Sequence, residues 1–173
     1  SMFLALVRKP EFRLCRADCL RSGIIAGSPV TPEEYGEICK RFPRLHLQPS
    51  YGQTETSPCV TIADWDEPIP EKDASAGRVI EHVEVRISGT GSGAKQKPGC
   101  GGEIQVRGYN VMLGYYKLPQ ATADAFTGDG WLKTGDLGRL DASGRLFVTG
   151  RIKDMIIRGG ENISPEEIEQ VIK

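Results

Sequence analysis

The stretch LRSGIIAGSPVTPEEYGEICKRFPRLHLQPSYGQTET, residues 20–56, decides the fold. LRSGIIAGSP (20–29) is an apolar run ending in Gly, Ser and Pro, the pattern of a buried strand that stops in a tight loop. Thr31 with Glu34 three residues on forms a capping box, and Pro32 suits the first helical position. Tyr35, Ile38, Cys39 and Phe42 then recur at helical spacing until Pro43 closes the helix. RLHLQPSYG (44–52) alternates apolar and polar residues as a strand does, and His46 within it is expected to be packed. Strand, helix and strand in this order predict a parallel sheet, and such sheets put their ligands beyond the strand tips.

The character changes from about Ala76. VEVRIS (83–88), GEIQVRG (102–108), GDLGRLD (135–141) and GRLFVTG (144–150) are short strands separated by Gly-rich turns, which predicts an antiparallel barrel or sandwich. One short helix interrupts it at Pro119 to Phe126. Ser164, Pro165 and Glu167 form a second capping box, and Ile168, Val171 and Ile172 give the helix behind it an apolar face. That pattern stops at Lys173 without a cap or terminal loop, which suggests either a cut polypeptide or an incompletely represented protein.

Composition narrows the function classes. The 173 residues are 39% hydrophobic and 26% charged, a globular balance with much turn (Gly 21, Pro 11). Lys+Arg 22 against Asp+Glu 23 leaves a net charge of -1, so no nucleic-acid partner is expected. No apolar run approaches the roughly 20 residues of a membrane span, and SMFLALVRKP is too short and wrongly flanked for a signal peptide. The expected location is the cytoplasm or an organellar matrix. Five cysteines without a C-x-x-C pair read as buried thiols, and two histidines exclude a histidine metal cluster.

Three segments carry candidate chemistry. GTGSGAKQK (89–97) resembles a phosphate loop only superficially: no Gly precedes Lys95 and Gln follows it, so the reading is a strand-to-strand loop. YGQTET (51–56) follows a strand and gathers an aromatic ring, a permissive glycine, hydroxyls and a carboxylate. It reads either as a capped turn or as an assembled polar tip, with Tyr51 able to stack, Gly52 to let backbone approach a ligand, Thr54 to donate to a phosphate and Glu55 to hold Mg²⁺. TGDLG (134–138) sets one carboxylate between glycines, where Asp136 either closes a turn or accepts from a ligand's paired hydroxyls.

Taken together, GIIAGSPVTPE, SYGQTE, GEIQVRG, GYYKLPQAT, GWLKTGDLG and GRIKDMIIRGGENISPEEIE resemble, in order, the core motifs of the adenylate-forming superfamily: acyl-CoA synthetases, adenylation domains of peptide synthetases and firefly luciferase. The RGGENISPEEIE form is similar to fatty acyl-CoA and aryl-CoA ligases, and AGSP with RGYNVMLGYY to medium-chain and longer fatty acyl-CoA synthetases. The resemblance implies a two-step ligation. A carboxylate attacks the α-phosphate of MgATP to give acyl-adenylate and pyrophosphate, and the coenzyme A thiol then displaces AMP. The implied fold is the end of a parallel α/β sheet (residues 1–75), a distorted antiparallel β-barrel (76–150), then a hinge and the start of a small α+β domain (151–173).

Carried over by position, the resemblance implies that Gly27 and Ser28 line the adenine pocket and that Tyr51 stacks near its ring. Thr54 would touch the α-phosphate and Glu55 coordinate Mg²⁺. Asp136 would accept both ribose hydroxyls, with Arg151 adding a ribose or phosphate contact. Lys153 falls at the hinge, and Gly159 and Gly160 form the wall along which pantetheine passes. The family's earlier phosphate loop and its late lysine have no counterpart here, so this polypeptide alone is expected to be inactive. The partners implied are a carboxylic acid, ATP and CoA, with a homo-oligomer left open. The rivals are an adenylation domain loading a carrier protein and a non-catalytic nucleotide-binding domain.

Overall fold

Thr31 and Glu34 start the helix that organises the first half of the chain. In the computed structural model, Thr31 Oγ1 accepts from the Glu34 amide at 3.2 Å, and Glu34 Oε2 accepts from the Thr31 amide at 3.2 Å. This capping box opens helix α2 (Pro32–Arg41), with Pro32 in its first turn. Two of the four orphan amides at the helix start are thereby satisfied. Thr31→Ala is expected to cost about 1 kcal/mol; a lowered urea midpoint with an unchanged slope would show it, and an unmoved midpoint would contradict it.

The structure describes residues 2–14, 17–28, 30–72, 75–89, 93–154, 156–158 and 161–163. Helix α1 (Met2–Val7) precedes strand β1 (Ser22–Ile25), and α2 leads into β2 (His46–Tyr51). β1 and β2 pair in parallel, from Ser22 opposite His46 to Ile25 opposite Pro49. Tyr35, Ile38 and Phe42 of the helix side bury against Leu4, Ile25 and Leu47, and the Tyr35 hydroxyl donates to the Leu47 carbonyl at 2.6 Å. The β-α-β passage therefore forms as the hydrophobic spacing predicts.

β3 (Thr61–Ile62) and β4 (Arg78–Val79) extend the sheet antiparallel, in the order β1-β2-β3-β4. The sheet is therefore mixed. Only nine residues (52–60) connect β2 to β3, fewer than the dozen or so that a parallel crossover needs. Helix α3 (Ile69–Lys72) lies between β3 and β4.

The second sheet joins β5 (Val83–Ser88), β6 (Gly102–Gly108), β7 (Leu132–Leu140) and β8 (Leu146–Arg151) in sequence order, all antiparallel. An antiparallel barrel or sandwich, distorted in the implied fold, was expected; among the described residues the antiparallel sheet forms and is not closed into a barrel. Four strands of six to nine residues make too short a circumference to enclose a core of their own. One face instead buries Val83, Ile87, Ile104, Val106 and Leu146 together with Val60, and Tyr51 of β2 packs against the same cluster. Helix α4 (Pro119–Ala125) sits between β6 and β7, where a short helix was expected. β9 (Ile156–Arg158) and β10 (Glu161–Ile163) form a separate antiparallel pair. The second capping box, at Ser164 to Glu167, lies outside the described residues.

Two expectations need correction. His46 is exposed, stacked on Trp65 with ring centroids 4.3 Å apart and planes 9° from parallel. It is Leu47, one residue on, that faces α2, because side chains alternate along a strand. Cys19 and Cys100 are exposed in loops and are not buried thiols. Among the described residues no helix is long and apolar enough to cross a membrane.

Candidate functional site

Because β1 and β2 run parallel, the segments that follow them leave the same edge of the sheet. Gly27 and Ser28 follow β1 and are exposed, Gly27 with a φ of 83° that favours glycine. After β2 the chain folds back at once. A side chain at Gly52 would place its Cβ 1.8 Å from the Pro58 carbonyl oxygen, so the missing side chain accommodates the protein's own loop. Thr56 is fully buried and locks the turn: its Oγ1 accepts from the Gln53 amide at 3.0 Å and donates to the Gln53 carbonyl at 2.9 Å. Ser57 ends the turn in a left-handed conformation. The turn leaves Thr54 exposed and Glu55 half-buried.

A second segment fastens this turn from outside. The Asn110 Nδ2 donates to the carbonyls of Thr56 (3.1 Å) and Cys59 (2.6 Å), and the Ser57 hydroxyl donates to the Asn110 carbonyl at 2.8 Å. The Met112 amide donates to the Glu55 carbonyl at 2.8 Å, and the Tyr115 hydroxyl to Glu55 Oε1 at 2.8 Å. Sequence reasoning assigned no role to Asn110 or Tyr115. The available signal was a buried amide in the otherwise apolar and aromatic run YNVMLGYY, since a buried amide must find backbone partners.

Asp136 is the charged centre of the arrangement. Its segment is not a turn: TGDLG lies inside β7, where β6 advances two residues (Glu103 to Gln105) while β7 advances four (Lys133 to Leu137). The bulge carries Asp136 away from β6, as bulges re-aim side chains. The Thr134 hydroxyl steadies it by donating to the Ile104 carbonyl at 2.7 Å and accepting from the Asp136 amide at 3.1 Å. Asp136 is 4% exposed. Its Oδ2 accepts from the Tyr51 hydroxyl at 2.7 Å and its Oδ1 from Arg151 Nε at 2.9 Å. Arg151 sits directly across the ladder from Asp136, so the pair follows from strand register.

Burial and the adjacent Asp136 charge hold the Tyr51 phenol well above its ordinary range. Tyr51 therefore remains a donor at neutral pH. Its ring packs against the second core while its hydroxyl is committed to Asp136, which joins the end of β2 to β7 across 85 positions of sequence. Lys153 follows Arg151 in an exposed single turn, Ile152–Asp154. Gly159 and Gly160 lie outside the described residues.

The donor set fits a nucleotide and one divalent ion. A carboxylate offers about four acceptor positions, and among the described residues Tyr51 and Arg151 use two at Asp136, which leaves two that a vicinal diol could fill. Among the described residues there is no group of three or more His, Cys, Asp or Glu able to hold a metal. A single carboxylate such as Glu55 suits Mg²⁺, which completes its octahedral shell with phosphate oxygens and water.

Comparison with known proteins identifies the family. Residues 1–116 match the AMP-binding enzyme family. The Bacillus subtilis protein YngI is 42% identical over 172 residues, covering 99% of this chain and 31% of its own length. A mitochondrial medium-chain acyl-CoA ligase of Bos taurus, ACSF2, is 40% identical and is covered over 28% of its length by 98% of this chain. Among solved structures, the O-succinylbenzoate coenzyme A synthetase MenE of Bacillus subtilis, in complex with ATP and a magnesium ion, superposes with a TM-score of 0.80 at 36% identity. That match covers 99% of this chain and 34% of MenE. The chain thus spans about three tenths of the length of the curated relatives it matches.

Proposed function

The chain belongs to the AMP-binding enzyme family, and from that premise we propose that it forms part of an ATP-dependent acid–thiol ligase joining a carboxylic acid to coenzyme A. The observation that carries this reading is the buried Asp136 carboxylate, held by Tyr51 and Arg151 with two acceptor positions left among the described residues, where Tyr51 leads into the turn bearing Thr54 and Glu55.

A carboxylate oxygen attacks the α-phosphorus of ATP and pyrophosphate departs. The coenzyme A sulfur then attacks the acyl carbon, the bond to the AMP oxygen breaks, and the thiol proton passes to solvent. AMP is a far better leaving group than oxide, which is why the acid is first made an adenylate. Asp136 accepts the two ribose hydroxyls, and Arg151, half-exposed on its other side, adds a fixed cation toward ribose or phosphate. Gly27 and Ser28 border the adenine, Tyr51 flanks its ring, and Thr54 donates to the α-phosphate. Glu55 holds Mg²⁺, which when bound offsets negative charge on the phosphates. Lys153 lies at the hinge, and Gly159 with Gly160 borders the pantetheine path. These residues bind and orient; none transfers a proton.

The proposed division is an α/β part (1–75), a β-sheet part (76–150) and the opening of a small domain (151–173), in a protein of the cytoplasm or an organellar matrix. A fatty acid is the favoured substrate, supported by the motif forms and by the names of the ACSF2 relatives.

The test is pyrophosphate release by the full-length polypeptide against fatty and aromatic acids, with and without coenzyme A, using the isolated 173 residues as a control. Release with thioester product, and silence from the control, is expected. An adenylate that never passes to coenzyme A would favour loading of another acceptor, and silence of the full-length protein across the panel would refute the ligase.

A further inference from the structure

We propose that Tyr115 is a positioning residue for the Glu55 carboxylate, fixing one of its oxygens so that the other faces the divalent ion; this rests on the reading of Glu55 given above. The Tyr115 hydroxyl donates to Glu55 Oε1 at 2.8 Å across 60 positions of sequence. No protein donor to Glu55 Oε2 occurs among the described residues.

Three features support the assignment. The bond is one of several between residues 110–115 and the turn 55–59, and the Met112 amide holds the Glu55 backbone at the same time. The main chain and the side chain of Glu55 are therefore fastened by the same segment. Tyr115 is itself anchored, its amide donating at 2.9 Å to Thr122 Oγ1 in the middle of α4. Beside it, Gly114 leaves room for that hydroxyl, because a Cβ there would come within 2.9 Å of Thr122 Oγ1.

The chemistry explains why a phenol serves here. A carboxylate on a long side chain has several rotamers, and a lone metal-binding Glu that must meet a phosphate-bound ion loses entropy when it is ordered on binding. A donor already in place pre-orders it. Because the phenol stays neutral, it orients the carboxylate without cancelling the charge that attracts the cation, as a lysine or arginine in the same place would.

The experiment uses the full-length protein and its Tyr115→Phe variant, which keeps the ring and removes only the hydroxyl. Calorimetric titration with ATP is run in Mg²⁺ and in excess chelator. Tyr115→Phe is expected to weaken binding about three- to tenfold in Mg²⁺ and to leave metal-free binding unchanged, with a matching rise in the Mg²⁺ concentration needed for half-maximal pyrophosphate release. Glu55→Gln should remove the Mg²⁺ enhancement, and adding Tyr115→Phe to it should change nothing further, since the hydroxyl then has no carboxylate to orient. Equal weakening with and without metal would mean a structural role and overturn the proposal. So would an unchanged Mg²⁺ response in Tyr115→Phe beside a lost response in Glu55→Gln. If Glu55→Gln also keeps its Mg²⁺ response, it is the assignment of Glu55 to the metal that fails.

Discussion

Asp136→Asn in the full-length protein is expected to weaken ATP binding about 100-fold, or ~3 kcal/mol, while the fold is retained. The structure makes Asn the informative substitution. Asp136 holds the buried end of Tyr51 as well as the proposed ribose site, so Ala would leave the Tyr51 hydroxyl without its acceptor and lower stability whatever the function. Asn keeps one carbonyl oxygen, which can turn to accept from Tyr51. Its amide then faces Arg151 donor to donor, but that side chain is 55% exposed and can turn to water at little cost. What Asn cannot do is accept two further hydroxyls. Loss of affinity with an unchanged urea midpoint would support the ribose assignment; retained affinity would remove Asp136 from the nucleotide site and return it to a purely structural role.

Gly52→Ala should be the most damaging of the single substitutions, costing about 4 kcal/mol or more. Its Cβ would overlap the Pro58 carbonyl at 1.8 Å and the Cys59 nitrogen at 2.9 Å, and both are backbone atoms that no rotamer change can move. The turn between β2 and β3 would have to open, pulling Val60 away from the Tyr51 carbonyl to which its amide donates at 2.8 Å. Val60 is fully buried in the second core, so the damage would reach both sheets. A large fall in the denaturation midpoint, with lost pyrophosphate release from whatever folds, is the expected result. A midpoint within error of the parent would mean that residues 52–58 do not fold back as described.

These two cases divide what was readable in residue order from what was not. Thr31, Pro32 and Glu34 act through neighbours three residues away, so the start of α2 is legible locally. The apolar spacing of Tyr35, Ile38 and Phe42 likewise identifies the face that meets β1 and β2, since a helix repeats every 3.6 residues whatever surrounds it. Thr54, Glu55 and Asp136 stood out through the order of the motifs that carry them, since a polar run after a strand and a carboxylate between glycines each read equally well as a turn when taken alone. The openness of the second sheet was not legible, because alternation reports two faces and says nothing about whether the edge strands meet.

By itself, the sequence determined the β-α-β unit, the short antiparallel strands and the family, and it nominated the candidate nucleotide residues. Each of these is written in local periodicity, capping chemistry or motif order. Only the tertiary structure decided the partners: Tyr51 with Asp136, Tyr115 with Glu55, Asn110 with the turn at Thr56, and the Pro58 carbonyl over Gly52. The first three join positions 54 to 85 residues apart, and pairing across such distances is set by strand register, a β-bulge and loop paths that local sequence does not encode. Gly52 shows the same limit at short range, for a glycine in a turn can admit a ligand or its own chain, and only the folded loop distinguishes them.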